Sequence, residues 1–343
     1  MTTNSFNSNK LSNVNFTESA LPCKLSKQTL HNCTFDNNTY DQLEIKSSTV
    51  IATTFQNCSI NDSEFNFTSF RNCQFEQIKF NLCNFSKSNF SNCTFNHCQF
   101  DNCSFDHASF NDSQLDNIHF NNSSFIYSNA AELTINSNHF ECCNLDHTRI
   151  RSSIVQQTQF NGSNLYKANL NFSEFHNCNW QNTNLVQTNF TSAKLEAADF
   201  SQTSKLKKVL FINANLIQAN FSKLITEKLN FSGANLTEAN LQQLIAPQSQ
   251  FLNANLESAS MLSSTLSYSN FKATNLSRIN AKDSNFCYSN FSYAKLSDAD
   301  FSQANLSFTN LHAIDGNAIF NQTKLENIRE TNQLQLKAEG WKL

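Results

Sequence analysis

The feature that most limits how this chain can fold is an apolar residue at every fifth position for almost its whole length. From Leu25 to Phe200 the series holds 36 positions, and all 36 are apolar in a chain whose apolar share is 39%. One extra residue follows Phe200, and the series resumes at Leu206 and runs to Leu311 with only Thr226 outside the apolar set. Shorter echoes of the series occur at Phe6, Leu11, Phe16 and Leu21 and at Phe320 and Leu325, and we call all these positions the centres of the repeat. Of the 33 phenylalanines, 30 occupy centres.

A period of five fits neither an α-helix nor a continuous strand, whose side chains repeat at about 3.6 and 2 residues. The chain must therefore turn between repeats. In a short extended segment, the centre and the residue two places before it point to the same side. Those two positions pair a large with a small residue, as in Cys93 with Phe95 and Ala168 with Leu170. We expect both to face a narrow interior.

A longer period of 20 residues gives the number of sides. Cys73 and Cys93 lie 20 apart, as do Cys83 and Cys103, and Tyr268 and Tyr288. Residues that stack on successive coils of a repeat protein resemble each other. Twenty residues make four sides of five, so the sequence predicts an all-β, four-sided solenoid whose coils hydrogen-bond to their neighbours.

Triplets of alanine, asparagine and leucine mark many repeats of the second half, as in Ala168-Asn169-Leu170, Ala214-Asn215-Leu216 and Ala304-Asn305-Leu306. This pattern resembles that of the pentapeptide-repeat proteins, Ala-Asp/Asn-Leu-X-X. The resemblance implies a right-handed quadrilateral β-helix and a bacterial, non-catalytic binding protein. The first half departs from the pattern by using Asn-Cys-X-Phe.

The sequence divides into four segments on this basis. We expect a cap with ragged repeats over 1–24, a Cys/Phe-rich solenoid over 25–204, a solenoid of Ala-Asn-Leu type over 205–316, and the last repeats with a C-terminal cap over 317–343. Gly and Pro number only 4 and 2. We therefore expect Asn, Ser and Asp to make the turns.

Cysteines and histidines are the residues that most suggest chemistry. Ten of the 12 cysteines occupy the small inward position, where we expect buried thiols: Cys23, Cys33, Cys58, Cys73, Cys83, Cys93, Cys98, Cys103, Cys143 and Cys178. His119 and His139 should stack on neighbouring coils as a solvated pair without a third ligand. No catalytic grouping or phosphate loop stands out, so we expect no metal, no cofactor and no enzyme activity.

One outward column differs from the others because its members are large and none is acidic. It contains the residue two places after the centre on one side: Phe67, Lys87, His107, Tyr127, His147, Lys167, Gln187, Lys208, Lys228, Gln248, Tyr268, Tyr288 and Phe308. Aligned exposed aromatic residues are typical of partner surfaces. The alternative is that these bulky side chains only shield a corner of the coil and bind no partner. The net charge of −3 argues against direct binding of nucleic acid.

On the same side, Leu224-Ile225-Thr226 and Leu244-Ile245-Ala246 exchange the large and small positions, which predicts a bulge or a short excursion. Lysines gather nearby, at Lys205, Lys207, Lys208, Lys223 and Lys228. By contrast, the stretch between Lys87 and Arg149 has no Lys or Arg and seven acidic residues: Asp101, Asp106, Asp112, Asp116, Glu132, Glu141 and Asp146.

Two functions follow as hypotheses. The first is a rigid protein-interaction scaffold, with an exported effector as one form of it, that engages an unidentified protein through the large column and the neighbouring lysines. The second comes from the family resemblance: a DNA-mimicking protein that binds DNA gyrase or topoisomerase IV through the acidic stretch.

The sequence also makes predictions for the two ends of the chain. We expect a short C-terminal helix capped by Thr331 to cover the last coil, with Leu334, Ala338 and Trp341 at helical spacing. Family resemblance makes Trp341 a candidate contact of a homodimer. No membrane span and no standard signal peptide are visible, which predicts a cytoplasmic protein or one secreted by a non-standard bacterial route.

Overall fold

The computed structural model describes residues 9–16 and 24–340, and the chain forms two compact units, residues 1–184 and 185–343. Every β-pairing that it describes is parallel. The predicted Cys23 and Trp341, and much of the predicted 1–24 cap, lie outside the described residues.

Short strands occur only in the first unit among the described residues. They are β1 Lys10–Ser12, β2 Asn15–Phe16, β3 Thr29–His31, β4 Thr34–Asp36, β5 Thr39–Asp41, β6 Thr49–Ile51, β7 Thr54–Gln56, β8 Ser59–Asn61, β9 Ser69–Arg71, β10 Gln74–Glu76, β11 Lys79–Asn81, β12 Asn89–Ser91, β13 Thr94–Asn96, β14 Gln99–Asp101, β15 Ser109–Asn111, β16 Gln114–Asp116, β17 His119–Asn121, β18 Thr134–Asn136, β19 His139–Glu141, β20 Ile154–Gln156 and β21 Glu174–His176.

These strands build three walls of a four-sided parallel β-solenoid in the first unit. The sheets run in the orders β1-β3-β6-β9-β12-β15, β2-β4-β7-β10-β13-β16-β18-β20-β21 and β5-β8-β11-β14-β17-β19. From β3 onward partners are 20 residues apart, as in Phe55, Phe75 and Phe95, whereas β1 with β3 and β2 with β4 pair at 19. The fourth wall is held by single bridges such as Glu64 to Asn84. The predicted four sides of five residues are confirmed.

At several coils of the fourth wall, asparagine shortens the extended stretch. Asn84 and Asn164 stand just before their centres, and the side-chain oxygen of each accepts the N–H of the residue two places on, at 3.0 and 3.2 Å. Such a bond turns the chain directly after the centre and ends the extended stretch. Threonine, which favours strands, takes that position in many three-residue strands, such as β3, β4 and β7.

The interior of the first unit is filled by stacked phenylalanine rings. Ring centroids of Phe75 and Phe95 are 4.4 Å apart and their planes differ by 3°. Rings on adjacent walls meet edge to face, as do Phe90 and Phe95 at 5.2 Å. Both geometries are favourable for aromatic pairs. The predicted burial of the centres is therefore confirmed.

The second unit repeats the four-sided coil with single bridges on every wall. Asn189 pairs with Leu210, a step of 21 residues, which confirms the extra residue after Phe200. Later steps are 20, and the step from Asp300 to Ile319 is 19. Gly316, with φ of 98°, lies where that residue is lost.

A helix, α1 (Gln333–Gly340), follows the last coil, as the sequence predicts. Its cap differs from the prediction. The side-chain oxygen of Asn332 accepts the N–H groups of Leu334 and Gln335, at 3.0 and 3.1 Å, so Asn332 is the N-cap. The Thr331 hydroxyl instead accepts the N–H of Ala313.

The helix contacts the coil wall through Glu339, which accepts the hydroxyl of Tyr293 and lies 3.4 Å from Nε2 of the buried His312. An open cavity of about 420 Å³ remains at the last coil, lined by Leu311, Ile314, Phe320, Leu325 and Ile328 among others. The prediction that α1 covers the last coil is therefore only partly right.

Candidate interaction surface

The residue two places after each centre forms a corner of the coil, and its backbone lies in the left-handed region. Among the described residues, 58 non-glycine residues have positive φ, nearly all at this position. They include Phe67 and Tyr268 as well as many Asn, Gln and Lys residues, so the prediction that Asn, Ser and Asp make the turns is too narrow. The N–H of the corner residue donates to a carbonyl of the next coil, as from Tyr268 to Cys287 at 2.9 Å. This hydrogen bond offsets the energetic cost of the left-handed conformation in a non-glycine residue.

In the first unit, the predicted large column lies at the corner that follows the fourth wall. Lys87 Nζ lies 5.0 Å from the centroid of the Phe67 ring, and the rings of His107 and Tyr127 stack at 5.4 Å. Tyr127 stacks in turn on His147 at 4.6 Å. The Nδ1 of His147 is 2.6 Å from a carboxylate oxygen of Asp146. Lys167 is the last member in this unit, and it lies 5.0 Å from the ring of Tyr166.

In the second unit, three members of the column form a flat aromatic stack. The rings of Tyr268 and Tyr288 are 4.8 Å apart with planes 2° apart, and those of Tyr288 and Phe308 are 4.7 Å apart. The three residues are 57%, 49% and 44% exposed. The ring faces cover each other, so the stack presents its edges outward. We call these three residues the aromatic ladder.

Two isoleucines extend this apolar surface along the same wall. Ile225 is 81% exposed and Ile245 is 39% exposed, while Leu224 and Leu244 point inward beside Thr226 and Ala246. The bridges from Ile225 to Ile245 and from Ile245 to Thr265 continue without interruption. The predicted bulge or excursion is therefore wrong: the backbone keeps its register, and the large side chain fills the interior from the small position.

A cluster of exposed lysines adjoins the isoleucines. It consists of Lys205, Lys207, Lys208, Lys223 and Lys228, which we call the lysine cluster. Glu227 stands among them and pairs with Lys207. This hydrogen bond, with the nearby charges of Lys228 and Lys208, lowers the pKa of Glu227. One carboxylate against five ammonium groups leaves the cluster strongly positive.

The acidic stretch of the first unit does not gather on one wall. Its members fall on all four walls or their corners, and several are already engaged: Asp106 accepts from Ser124 and Ile126, and Asp116 from Asn136. Asp101 and Glu141 end strands of the third sheet, while Asp112 and Glu132 occupy corners of the first wall. No single face carries all seven charges.

Family models match most of the chain. One described as a pentapeptide repeat region matches residues 73–150, and one described as pentapeptide repeats (8 copies) matches 143–179, 172–204, 214–246, 234–278, 264–303 and 282–315. The chain belongs to the pentapeptide-repeat family. No curated protein matches its sequence.

Solved pentapeptide-repeat proteins are among the similar structures. HetL, involved in heterocyst differentiation regulation in the cyanobacterium Nostoc sp. strain PCC 7120, is 21% identical over 66% of this chain and 88% of its own, with a TM-score of 0.27. Full-length QnrB1, a plasmid-mediated fluoroquinolone resistance protein, is 13% identical over 90% of this chain and 100% of its own, with a TM-score of 0.18.

The cysteines of this pentapeptide-repeat chain fill the small inward position, as predicted. Cys33, Cys58, Cys73, Cys83, Cys93, Cys98, Cys103 and Cys143 are buried, and Cys178 is nearly so. Burial raises the pKa of Cys98 and Cys143 to about 12. Each thiol also donates to a carbonyl, as from Cys73 to Val50 at 3.4 Å, in the way that Ser88 donates to Phe65 at 2.7 Å. The position therefore selects small residues, several of them weak donors.

His119 and His139 stack at 4.4 Å, as the 20-residue spacing predicts. Burial, and then the charge of His119, lower the pKa of His139. Within residues 9–16 and 24–340, no group of three or more His, Cys, Asp or Glu side chains is placed to hold a metal ion. The described part of the chain also has no helix long and apolar enough to cross a membrane.

The sequence-based prediction missed the exposed isoleucines as part of the surface. The signal was present, because a small residue at a centre, Thr226 or Ala246, has a leucine two places before it. Exchanging the large and small inward residues conserves interior volume, which well-packed cores tolerate. The residue between them, Ile225 or Ile245, faces outward, as the residue before each centre does throughout the solenoid.

Proposed function

We propose that this pentapeptide-repeat protein is a non-catalytic binding scaffold and that the aromatic ladder of the second unit contacts a protein partner. The observation that carries the proposal is the exposure of Tyr268, Tyr288 and Phe308, continued by Ile225 and Ile245 on the same wall. Contiguous exposed apolar surface is uncommon unless it binds something, and aromatic anchors dominate the energetics of protein interfaces.

The ladder is suited to binding because the fold of the second unit does not depend on it and yet holds it in place. The interior is filled by the centres, so the ladder is not needed to complete the core. The coils also hold the ladder in place, because each corner N–H is bonded to the next coil. A rigid, already ordered surface loses little conformational entropy on binding.

The topoisomerase-binding alternative has less support. A DNA mimic needs negative charge arrayed along one surface, as the phosphates of a duplex are. The seven acidic residues between Lys87 and Arg149 lie on different walls, and several already accept hydrogen bonds within the coil. A supercoiling assay with gyrase and purified protein tests this alternative, and inhibition or protection at micromolar concentration would favour it.

Site-specific photo-crosslinking in the organism that makes the protein tests the proposal. We expect a photoreactive phenylalanine analogue at Tyr288 to give discrete adducts, which mass spectrometry can identify. The same analogue at Phe172 is the matched control, because Phe172 is an exposed corner aromatic residue of the first unit with similar φ.

The identified partner should then bind the purified wild-type protein and bind Y268S/Y288S/F308S at least tenfold more weakly. Equal adducts at both positions, no adduct at either, or equal binding by the triple variant would contradict the proposed function.

A further inference from the structure

We propose that the partner of the aromatic ladder is an acidic protein segment with apolar side chains, whose carboxylates contact the lysine cluster while its apolar groups contact the isoleucines and the ladder. This inference rests on the proposed function and adds the chemistry of the partner.

The charge of this wall favours an acidic partner. On the wall from Lys205 to Phe308 and its following corner, Glu227 is the one acidic residue within the described chain, and it is already paired with Lys207. Lys208 and Lys228 are exposed and form none of the ion pairs described for the chain. Opposite charge on a partner would steer it to this end of the wall and fix its register.

The order of residues along the wall separates the basic side chains from the aromatic ones. Corner residues follow the coils as Lys208, Lys228, Gln248, Tyr268, Tyr288 and Phe308, so the basic end and the aromatic end are separate. Five coil steps at roughly 4.8 Å give a strip about 24 Å long. An extended segment of roughly seven residues spans that length at about 3.3 Å per residue. The partner segment should accordingly have an acidic end and an apolar end.

Hydrogen bonding in the wall limits how the segment can bind. The N–H of Thr226 donates to Ile245, that of Ile245 to Leu224, and that of Thr265 to Leu244, at 2.7 to 2.8 Å. The backbone groups are thus used between coils, and the wall offers no free strand edge for β-augmentation. Recognition must therefore come from side chains, so the lysines and the apolar groups determine which segment binds.

The ladder geometry favours apolar side chains over nucleic acid bases. Bases bind to proteins by stacking on open aromatic faces. Here the faces of Tyr268, Tyr288 and Phe308 cover each other at 4.7 and 4.8 Å, which leaves no room for a base between them. Ring edges and the exposed Ile225 side chain suit aliphatic and aromatic groups.

A random 12-residue peptide library displayed on phage, selected on the full chain and depleted on Y268S/Y288S/F308S, tests the inference. We expect the selected peptides to be enriched in Asp and Glu at one end and in aromatic or aliphatic residues at the other. In fluorescence anisotropy, labelled copies should bind K208E/K228E at least tenfold more weakly. The matched control, K272E/K295E, reverses two lysines on other walls and should bind as the wild type does.

The outcomes separate this inference from the proposed function. Selected peptides that lack acidic residues, or that bind K208E/K228E as tightly as the wild type, would overturn the acidic partner and leave the ladder as a binding surface. Failure to select any peptide would also overturn the inference of an acidic partner segment. Tighter, lysine-dependent binding of a labelled 12-nucleotide single strand would replace the protein segment by nucleic acid. Failure of crosslinking at Tyr288 contradicts the proposed function itself.

Discussion

At the scale of the residue, each repeat assigns different demands to its positions. The centre and the small position before it must fill the interior, whereas the corner residue needs only a left-handed backbone and a hydrogen bond to the next coil. Three phenylalanines lie off the centres, Phe67, Phe172 and Phe308, and all three are exposed corners. The corner is therefore where side chains can vary without changing the coil.

Two truncations of the same residue type test this difference. Phe95→Ala should lower the free energy of unfolding by about 3 to 5 kcal/mol, because it removes a buried ring stacked on Phe75 and leaves a cavity. Phe67→Ala, the same change at an exposed corner, should cost only about 0.5 kcal/mol. Denaturant unfolding followed by circular dichroism measures both, and equal losses would contradict the assignment of inside and outside.

At the scale of the element, the coil and the terminal helix show what can be predicted from sequence. The five-residue period and the volume pairing predict buried centres and small thiols, because each depends only on residues within one or two coils. The cap of α1 could not be predicted in the same way. Both Thr331 and Asn332 are capping residues, and the choice depends on the Ala313 N–H that occupies the Thr331 hydroxyl. Likewise, the regular backbone at the inverted repeats around Ile225 and Ile245 could not be predicted, because it depends on the interior accepting leucine from either of the two inward positions.

The helix cap gives a prediction at this scale. Asn332→Ala should fray the first turn of α1, because the N–H groups of Leu334 and Gln335 lose their acceptor, at a cost of about 1 kcal/mol. Hydrogen exchange at those two amides should speed up severalfold, while Gln333→Ala should leave it nearly unchanged. Equal exchange rates in the Asn332 variant and the wild type would rule out this cap.

The coil that is one residue short, at Gly316, gives a second prediction at this scale. A Cβ on Gly316 would lie 2.5 Å from the backbone nitrogen of Ser297, whereas the nearest atom to a Cβ on Gly162 would be the Cys142 thiol, at 3.2 Å, with backbone no closer than 3.9 Å. Gly316→Ala should therefore lower the melting temperature clearly more than Gly162→Ala, since backbone cannot move aside as a side chain can. The reverse order in a thermal unfolding series would contradict the tight approach of the chain at residue 316.

At the scale of the whole molecule, the residues that fold the chain differ from those that we propose to bind a partner. Both units are solenoids in which the interior is closed by the centres, and the corners contribute outward-facing side chains. The sequence predicted the large column, although its grouping into a lysine cluster and an apolar strip depends on exposures that only the structure gives. A surface not needed for folding can specialise for a partner.

Thermal unfolding of two triple serine variants tests that separation most directly. Y268S/Y288S/F308S removes the ladder and loses two stacked ring pairs, worth about 0.5 to 1.5 kcal/mol each, so its melting temperature should fall by only a few degrees. F251S/F271S/F291S removes three buried rings of the same unit that stack at 4.6 and 4.8 Å, and it should fail to fold as a solenoid. If the ladder variant loses its fold as the interior variant does, the rings are structural and the claim that the ladder is free to bind a partner is wrong.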